Sequence, residues 1–211
     1  MLMARAFPRG INQSRYKLLL ENPNVPVVIG IGPAGTGKTL FACQTAATRL
    51  KEKKVERIIM TRPAVSVDES HGFLPGSLEN KMDPWVRPMF DILSRFYSQN
   101  EIRGMVRDRI VEVCPLAYMR GRTFDHSFIL ADEMQNSTPN QMRMVLSRLG
   151  DKSKIVVTGD TAQHEAGFEV NGLSDLVERL DPYEPDIQTV RFNNSDIERN
   201  KLIEKILNMY T

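Results

Sequence analysis

The stretch Val27-Val-Ile-Gly-Ile31-Gly32-Pro-Ala-Gly-Thr-Gly-Lys38-Thr39 decides the fold of this chain. Residues 27–31 are β-branched or small and predict a buried strand. Residues 32–39 fit the pattern G-x-x-x-x-G-K-[ST], and the run 40–50 behind them suits a helix. In such a strand, loop and helix, glycines let backbone N–H groups turn towards an anion at the helix N-terminus. The stretch therefore predicts an α/β protein that binds a nucleotide through its phosphates.

The residues of this loop have expected roles. Lys38 should reach the β- and γ-phosphates, where it both binds and assists catalysis, and Thr39 should hold Mg²⁺ through its hydroxyl. A glycine-rich turn without a ligand is the alternative, which the flanking strand and helix disfavour. The predicted contacts to ATP are Gly32, Pro33, Ala34, Gly35, Thr36, Gly37, Lys38 and Thr39.

Further apolar runs alternate with segments of helical length, and they cover 57–61, 110–114, 128–131, 155–158 and 187–192. Because these runs are nearly continuous in Val, Ile and Leu, they suit strands buried on both faces of a mostly parallel sheet. We expect a three-layer α/β core in a single domain over 1–211, with an ordered insertion at 63–78 and a helical segment running towards residue 97.

Composition limits the class of protein. The 211 residues are 41% hydrophobic with a net charge of +2, which suits a compact core and does not by itself indicate nucleic acid. An arginine-rich region at 103–122 is either a solvated face or a nucleic-acid contact. The two cysteines, Cys43 and Cys114, sit in apolar contexts without metal-ligand spacing. No run approaches the roughly 20 apolar residues of a membrane span, so we expect a cytoplasmic protein.

Two more strands end in polar residues. The run Ser127-Phe-Ile-Leu-Ala-Asp132-Glu133 predicts Asp132 as a magnesium ligand and Glu133 as the residue that polarises the attacking water. Acids at a helix N-terminus are the alternative. The run at 155–158 leads into Gly159-Asp-Thr-Ala-Gln163, where Gln163 is the preferred sensor of the γ-phosphate and a simple Gly-Asp turn is the alternative.

The two ends of the chain supply further candidates. Gln13, in a leading segment at about 8–24, has an amide able to read an adenine edge, although an exposed glutamine is the plainer interpretation. Ser195-Asp-Ile-Glu198 has the pattern of a capping box and predicts a helix at about 195–210. Arg199 would then lie in its first turn, either as an arginine finger or as a charge neutralised by nearby acids.

Together these segments resemble the PhoH-like family of P-loop ATPases, from Gln13 to residue 210. The resemblance rests on Thr-Arg-Pro-Ala-Val at 61–65, Gly-Phe-Leu-Pro-Gly at 72–76, Met-Arg-Gly-Arg-Thr at 119–123, Asp-Glu-Met-Gln-Asn at 132–136 and Thr-Gly-Asp at 158–160 with Gln163. It implies a RecA-like core similar to one motor domain of superfamily 1 helicases. It also implies that Gln13 reads adenine, Gln163 is the sensor and Arg199 the finger, while Asn200 departs from the family's usual histidine.

The resemblance further implies homo-oligomeric rings, in which a neighbour supplies the finger, and a link to nucleic-acid metabolism. The leading hypothesis is a Mg²⁺-dependent ATPase coupled to RNA or single-stranded DNA as a helicase-like motor. A nucleotide-gated oligomeric adaptor with slow turnover and no unwinding is the main alternative. A small-molecule kinase is a third, and it would need an acceptor pocket rather than a water-directing Glu133.

Overall fold

The protein, seen in a computed structural model, is built on a sheet of parallel strands. The structure describes residues 6–63, 78–163, 171–181 and 183–198, and for 78–85 the backbone alone. The strands are β1 Val27–Ile31, β2 Arg57–Thr61, β3 Val111–Val113, β4 Ser127–Ala131, β5 Lys154–Gly159 and β6 Ile187–Arg191. They lie in the order β3-β2-β4-β5-β1-β6, each parallel to its neighbours. The predicted parallel α/β class is confirmed, with strand ends shifted by one residue at four strands.

Helices cover both faces of the sheet. They are α1 Ile11–Glu21, α2 Lys38–Lys51, α3 Leu78–Leu93, α4 Gln99–Arg107, α5 Leu116–Met119, α6 Pro139–Leu146 and α7 Gly172–Arg179. Side chains alternate along each strand, so Val28 and Val156 pack with α1, α2 and α3, whereas Ile29 and Val157 pack with α5, α6 and α7. This arrangement confirms three layers, and both cysteines are buried within them as expected.

The region after β2 differs from the expected single helix. Helix α3 ends at Leu93, and Ser98 then begins α4 with a capping box, in which its hydroxyl accepts a hydrogen bond from the Glu101 amide. The Glu101 carboxylate in turn accepts one from the amide of Ser98 at 2.6 Å. The sequence signal for this second helix is the Ser-x-x-Glu spacing itself. Most of the predicted insertion, residues 64–77, lies outside the described residues.

The helix predicted to begin at Ser195 does not begin there. Residues Asn194–Asp196 form a short 3-10 helix, and Asn193 rather than Ser195 is its cap. The Asn193 side chain accepts hydrogen bonds from the Ser195 amide at 2.8 Å and hydroxyl at 2.6 Å, which commits Ser195 to this turn. The remainder of the predicted helix, 199–211, lies outside the described residues.

Strands β4, β5 and β1 are neighbours, so their carboxyl ends meet at one edge of the sheet. Gly159 pairs with Ile31, and Val157 with Ala131. Ligands of open parallel sheets bind at this edge, where the chain leaves adjacent strands in different directions. Within the ranges that the structure describes, no helix has the length and apolar character needed to cross a membrane.

Candidate nucleotide site

The loop between β1 and α2 has the backbone that its glycines predict. Gly35 and Gly37 both have φ of 86°, in the left-handed region that glycine enters without strain, and Gly37 caps α2. Gly32 has φ of 142°, and a Cβ there would lie 2.5 Å from the carbonyl oxygen of Phe192. The loop and the residue after β6 therefore approach each other more closely than any side chain would allow.

Lys38 lies over this loop. Its Nζ donates hydrogen bonds to the carbonyl oxygens of Gly32 at 2.6 Å and Pro33 at 2.8 Å. Burial lowers the pKa of Lys38, and the carboxylates of Glu133, Asp160 and Asp132 act in the opposite direction. The ammonium is thus held over the loop predicted to bind phosphate, within reach of the charges of the two predicted acids, Asp132 and Glu133, and of Asp160.

Thr39 and Asp132 are brought together as a metal site requires. The hydroxyl of Thr39 donates a hydrogen bond to Oδ1 of Asp132 at 2.8 Å, and the hydroxyl of Thr158 donates to the same oxygen. Asp132 is only 7% exposed, and burial raises its pKa while the bond from Thr158 opposes that rise. A hydroxyl and a carboxylate beside a phosphate loop fit Mg²⁺, which takes oxygen ligands and usually few from the protein.

Glu133 has an unusual backbone conformation. Its φ of 53° and ψ of 40° are left-handed, which costs a residue with a Cβ about 1–3 kcal/mol. Lys53, Arg109, His126 and Lys152 have similar φ values, so this conformation alone does not identify a functional residue. The conformation turns the chain from β4 into the 3-10 helix Met134–Asn136, which is buried. Glu133 itself is half-buried at the carboxyl edge of the sheet.

Gln13 lies against the loop rather than in solvent. It is 2% exposed, and its Nε2 donates to the carbonyl oxygens of Thr36 at 3.3 Å and Asp196 at 3.5 Å. Its Oε1 accepts from the Arg9 amide at 2.8 Å. In this structure the Gln13 amide thus binds the protein's own backbone beside the phosphate loop, and its contact with adenine stays a prediction.

The segment that leads to Arg199 is attached to the same loop. The backbone amide of Glu198 donates to the carbonyl oxygen of Gly35 at 3.0 Å, and its carboxylate lies 3.3 Å from Nε of Arg9. Asp196 also accepts a hydrogen bond from the side chain of Asn12 at 2.8 Å. Arg199 and Asn200 lie outside the described residues, so the finger assignment stays a prediction.

The sensor candidate follows β5. Gln163 is exposed, and its backbone amide donates to the carbonyl oxygen of Asp160 at 3.2 Å. Asp160 is 9% exposed and accepts a hydrogen bond from the Ala162 amide at 3.0 Å, so the turn that was the alternative interpretation of this segment is formed. The structure therefore places Gln163 at the same edge as the phosphate loop without a side-chain contact to it.

Two residues of the site were not singled out from the sequence. Thr158 lies inside a strand, and its role depends on the neighbouring strand that presents Asp132. Gln135 donates to the Glu133 carboxylate at 2.6 Å, a contact that depends on the left-handed turn. Both residues lie in segments that carry the family resemblance, Gln135 in Asp-Glu-Met-Gln-Asn at 132–136 and Thr158 in Thr-Gly-Asp at 158–160, but neither was given a role.

The arginine-rich region is partly paired. Arg122 makes a bidentate ion pair with Glu112, with nitrogen–oxygen distances of 2.5 and 2.9 Å. Arg107 pairs with the adjacent Asp108. Arg120 is exposed and follows the short helix α5, near the carboxyl edge. The charge of Arg122 is therefore paired within the fold, which makes Arg122 a weaker candidate for a nucleic-acid contact than the exposed Arg120.

Comparison with known proteins places these features in a family. The sequence matches the PhoH-like protein family over residues 6–211. A PhoH-like protein of Mycobacterium tuberculosis is 44% identical over 204 residues, covering 96% of this chain and 57% of that protein. A PhoH-like protein of Bacillus subtilis is 43% identical, covering 87% and 58%. Protein PhoH of Escherichia coli is 38% identical, covering 95% and 57%.

The chain thus spans somewhat more than half the length of the curated relatives it matches. A solved structure, the SWI2/SNF2 ATPase core of Sulfolobus solfataricus in complex with dsDNA, covers 74% of this chain and 33% of its own. Its TM-score is 0.47 at 16% identity, which is a weak similarity. The family match and the relatives, taken with the phosphate loop and its acids, establish that this chain belongs to the PhoH-like protein family.

Proposed function

We propose that this chain binds ATP with Mg²⁺ and hydrolyses it. The observation that carries the proposal is the contact between the Thr39 hydroxyl and the Asp132 carboxylate at 2.8 Å, beside the phosphate loop. The loop amides and Lys38 would bind the phosphates, and Mg²⁺ when bound would neutralise charge developing on them. Glu133 would orient and polarise a water for in-line attack on the γ-phosphate.

Two further residues are predicted to assist this reaction. Gln163, after β5, would respond to the presence of the γ-phosphate. Arg199 would supply positive charge to the transition state, and the finger of a neighbouring subunit in a homo-oligomeric ring is the arrangement we favour. A finger of this kind contributes about 10³ to 10⁵ in rate in well-studied phosphoryl transfer, so an isolated subunit would be nearly inactive.

We further propose that turnover is coupled to RNA or single-stranded DNA. Arg62 directly follows β2, close enough to Asp132 for their charges to interact. Beyond β3, Tyr118 on the short helix α5 is 51% exposed, and Arg120 just after that helix is exposed as well. Cationic and aromatic side chains together suit the phosphates and bases of a single strand. A motor that unwinds a duplex would need a second subunit to form the other wall of the cleft.

Phosphate release from Mg-ATP tests the proposal. We expect Glu133→Gln to lower turnover by about 10² to 10⁴, because the amide no longer accepts a proton from the water. Glu178→Gln is the matched control, since Glu178 is an exposed acid on α7 and loses the same charge. Equal turnover in the two variants would refute the assignment of Glu133. Release of phosphate without an added acceptor also argues against a small-molecule kinase.

Single strands should be added to the same assay at low salt, where binding through phosphates is strongest. We expect RNA or single-stranded DNA to raise turnover of the unmodified protein. A turnover that neither strand changes would contradict the coupling and favour the nucleotide-gated adaptor. Gel filtration with and without ATP then distinguishes the adaptor from a constitutive ring, because only the adaptor's assembly depends on nucleotide.

A further inference from the structure

Gln135 has an environment that the proposed reaction does not yet use. It lies in the 3-10 helix Met134–Asn136, which follows Asp132 and Glu133, and is 4% exposed. A buried amide must satisfy both of its polar ends, because an unpaired buried donor or acceptor destabilises the fold. The partners that satisfy Gln135 therefore reveal what this position does.

Both ends of the amide are hydrogen-bonded, one to a residue after β4 and the other to a residue after β5. Nε2 donates to Oε2 of Glu133 at 2.6 Å, while Oε1 accepts from the backbone amide of Asp160 at 3.2 Å. A carboxylate only accepts and a backbone N–H only donates, so these partners fix the orientation of the amide. Gln135 thus bridges the acid after β4 and the loop that follows β5.

The end of β5 is shaped around this bridge. A Cβ at Gly159 would lie 2.5 Å from Oε1 of Gln135 and 3.3 Å from its backbone nitrogen. A side chain at Gly159 would therefore displace the amide from Asp160. The bond to Glu133 also restrains a carboxylate that its left-handed backbone alone would not hold in one orientation.

We propose that Gln135 is a positioning residue that holds the Glu133 carboxylate towards the attacking water and links its orientation to the loop at 159–163. The inference rests on the proposed ATP hydrolysis. Movement of the Asp160 amide upon binding of the γ-phosphate would pass through Gln135 to Glu133. The two ends of the Gln135 amide are bound by Glu133 and by the Asp160 amide, so its removal should alter turnover and leave nucleotide binding in place.

The test is steady-state phosphate release by Gln135→Met, which keeps the size of the side chain and removes both hydrogen bonds. We expect kcat to fall about tenfold to a hundredfold, a part of the full effect of a general base. The affinity for a slowly hydrolysed ATP analogue should change less than about threefold. The matched control is Gln44→Met, because Gln44 is 6% exposed and likewise uses both ends of its amide, on Ala6.

A double-mutant cycle separates positioning from general loss of structure. Glu133→Asp keeps a carboxylate but shortens it by one methylene, so it no longer meets the amide as Glu133 does. In that background, Gln135→Met should lower kcat by less than about threefold. A further loss as large as in the unmodified protein, or an equal loss in Gln44→Met, would overturn the proposal.

Gln135→Glu provides a second variant if Gln135→Met folds poorly. It preserves an acceptor for the Asp160 amide and places a second carboxylate against Glu133, so kcat should again fall with nucleotide affinity retained. Unchanged kcat in this variant would also overturn the inference. If the unmodified protein releases no phosphate, the proposed function itself is wrong. If it turns over ATP but the kcat losses of Gln135→Met and Glu133→Asp simply add, only the role proposed for Gln135 is wrong.

Discussion

Replacing Thr158 by valine isolates the hydroxyl that supports the candidate magnesium ligand. Thr158 is 3% exposed, and its hydroxyl donates to Oδ1 of Asp132, which is itself 7% exposed. Valine has nearly the same shape, so the substitution removes this donor with little change in packing. A hydrogen bond to a charged group contributes about 1.5–3 kcal/mol, and we expect the free energy of unfolding to fall by about 2 kcal/mol near neutral pH.

Urea denaturation without nucleotide measures this loss, and Thr45→Val is the matched control. Thr45 is 5% exposed, and its hydroxyl donates to the carbonyl oxygen of Phe41 at 2.8 Å within α2. Its acceptor is neutral and takes part in the helix, so the control should cost less than about 1 kcal/mol. Equal losses in the two variants would refute the view that Thr158 stabilises a buried carboxylate.

Three further outcomes are expected, for Lys154 at the amino end of β5, for Gly32 in the phosphate loop and for Arg199. Burial lowers the pKa of Lys154 from 10.5 to about 7, so between these pH values the unfolded chain binds more protons than the folded protein. The free energy of unfolding of the unmodified protein should therefore rise from pH 7 to about 9 relative to that of Lys154→Met. Urea titrations should show a rise of at most about 1.4 kcal/mol per pH unit. The opposite slope would contradict the burial argument. Gly32→Ala should lower the free energy of unfolding by about 2 kcal/mol more than Gly121→Ala. Both glycines have positive φ, but only at Gly32 would the added Cβ lie 2.5 Å from a backbone oxygen, that of Phe192. Similar melting curves for the two variants would exclude that clash. Mixing Arg199→Ala with Lys38→Ala subunits should restore ATPase activity if the finger acts across subunits, and mixed rings without activity would argue for a structural arginine.

The layers of the fold were predictable because strand burial leaves a local signature. Residues 27–31 and 57–61 are continuous apolar runs, and they form β1 and β2 with the predicted bounds. The C-terminal end was less predictable. The sequence at Ser195 has the pattern of a capping box, but Asn193 caps the chain two residues earlier. The Asp196 carboxylate instead accepts a hydrogen bond from Asn12 on α1.

The site divides in the same way. Lys38, Thr39 and Asp132 follow from motifs whose chemistry is local, and the structure places them together. Contacts across strands required the strand order, which no single motif encodes. The hydrogen bond from the Asp160 amide to Gln135 depends on β4 and β5 being neighbours, so no motif predicts it.

We expect the carboxyl edge of β1, β4 and β5 to bind a magnesium nucleotide. Calorimetric titration with a slowly hydrolysed ATP analogue tests it most directly, with and without Mg²⁺, on the unmodified protein and on Lys38→Ala and Glu133→Gln. We expect Mg²⁺-dependent binding that Glu133→Gln retains and that Lys38→Ala weakens at least about tenfold, since an ion pair with phosphate is lost. Binding of equal strength in Lys38→Ala, or no binding to the unmodified protein, would contradict it.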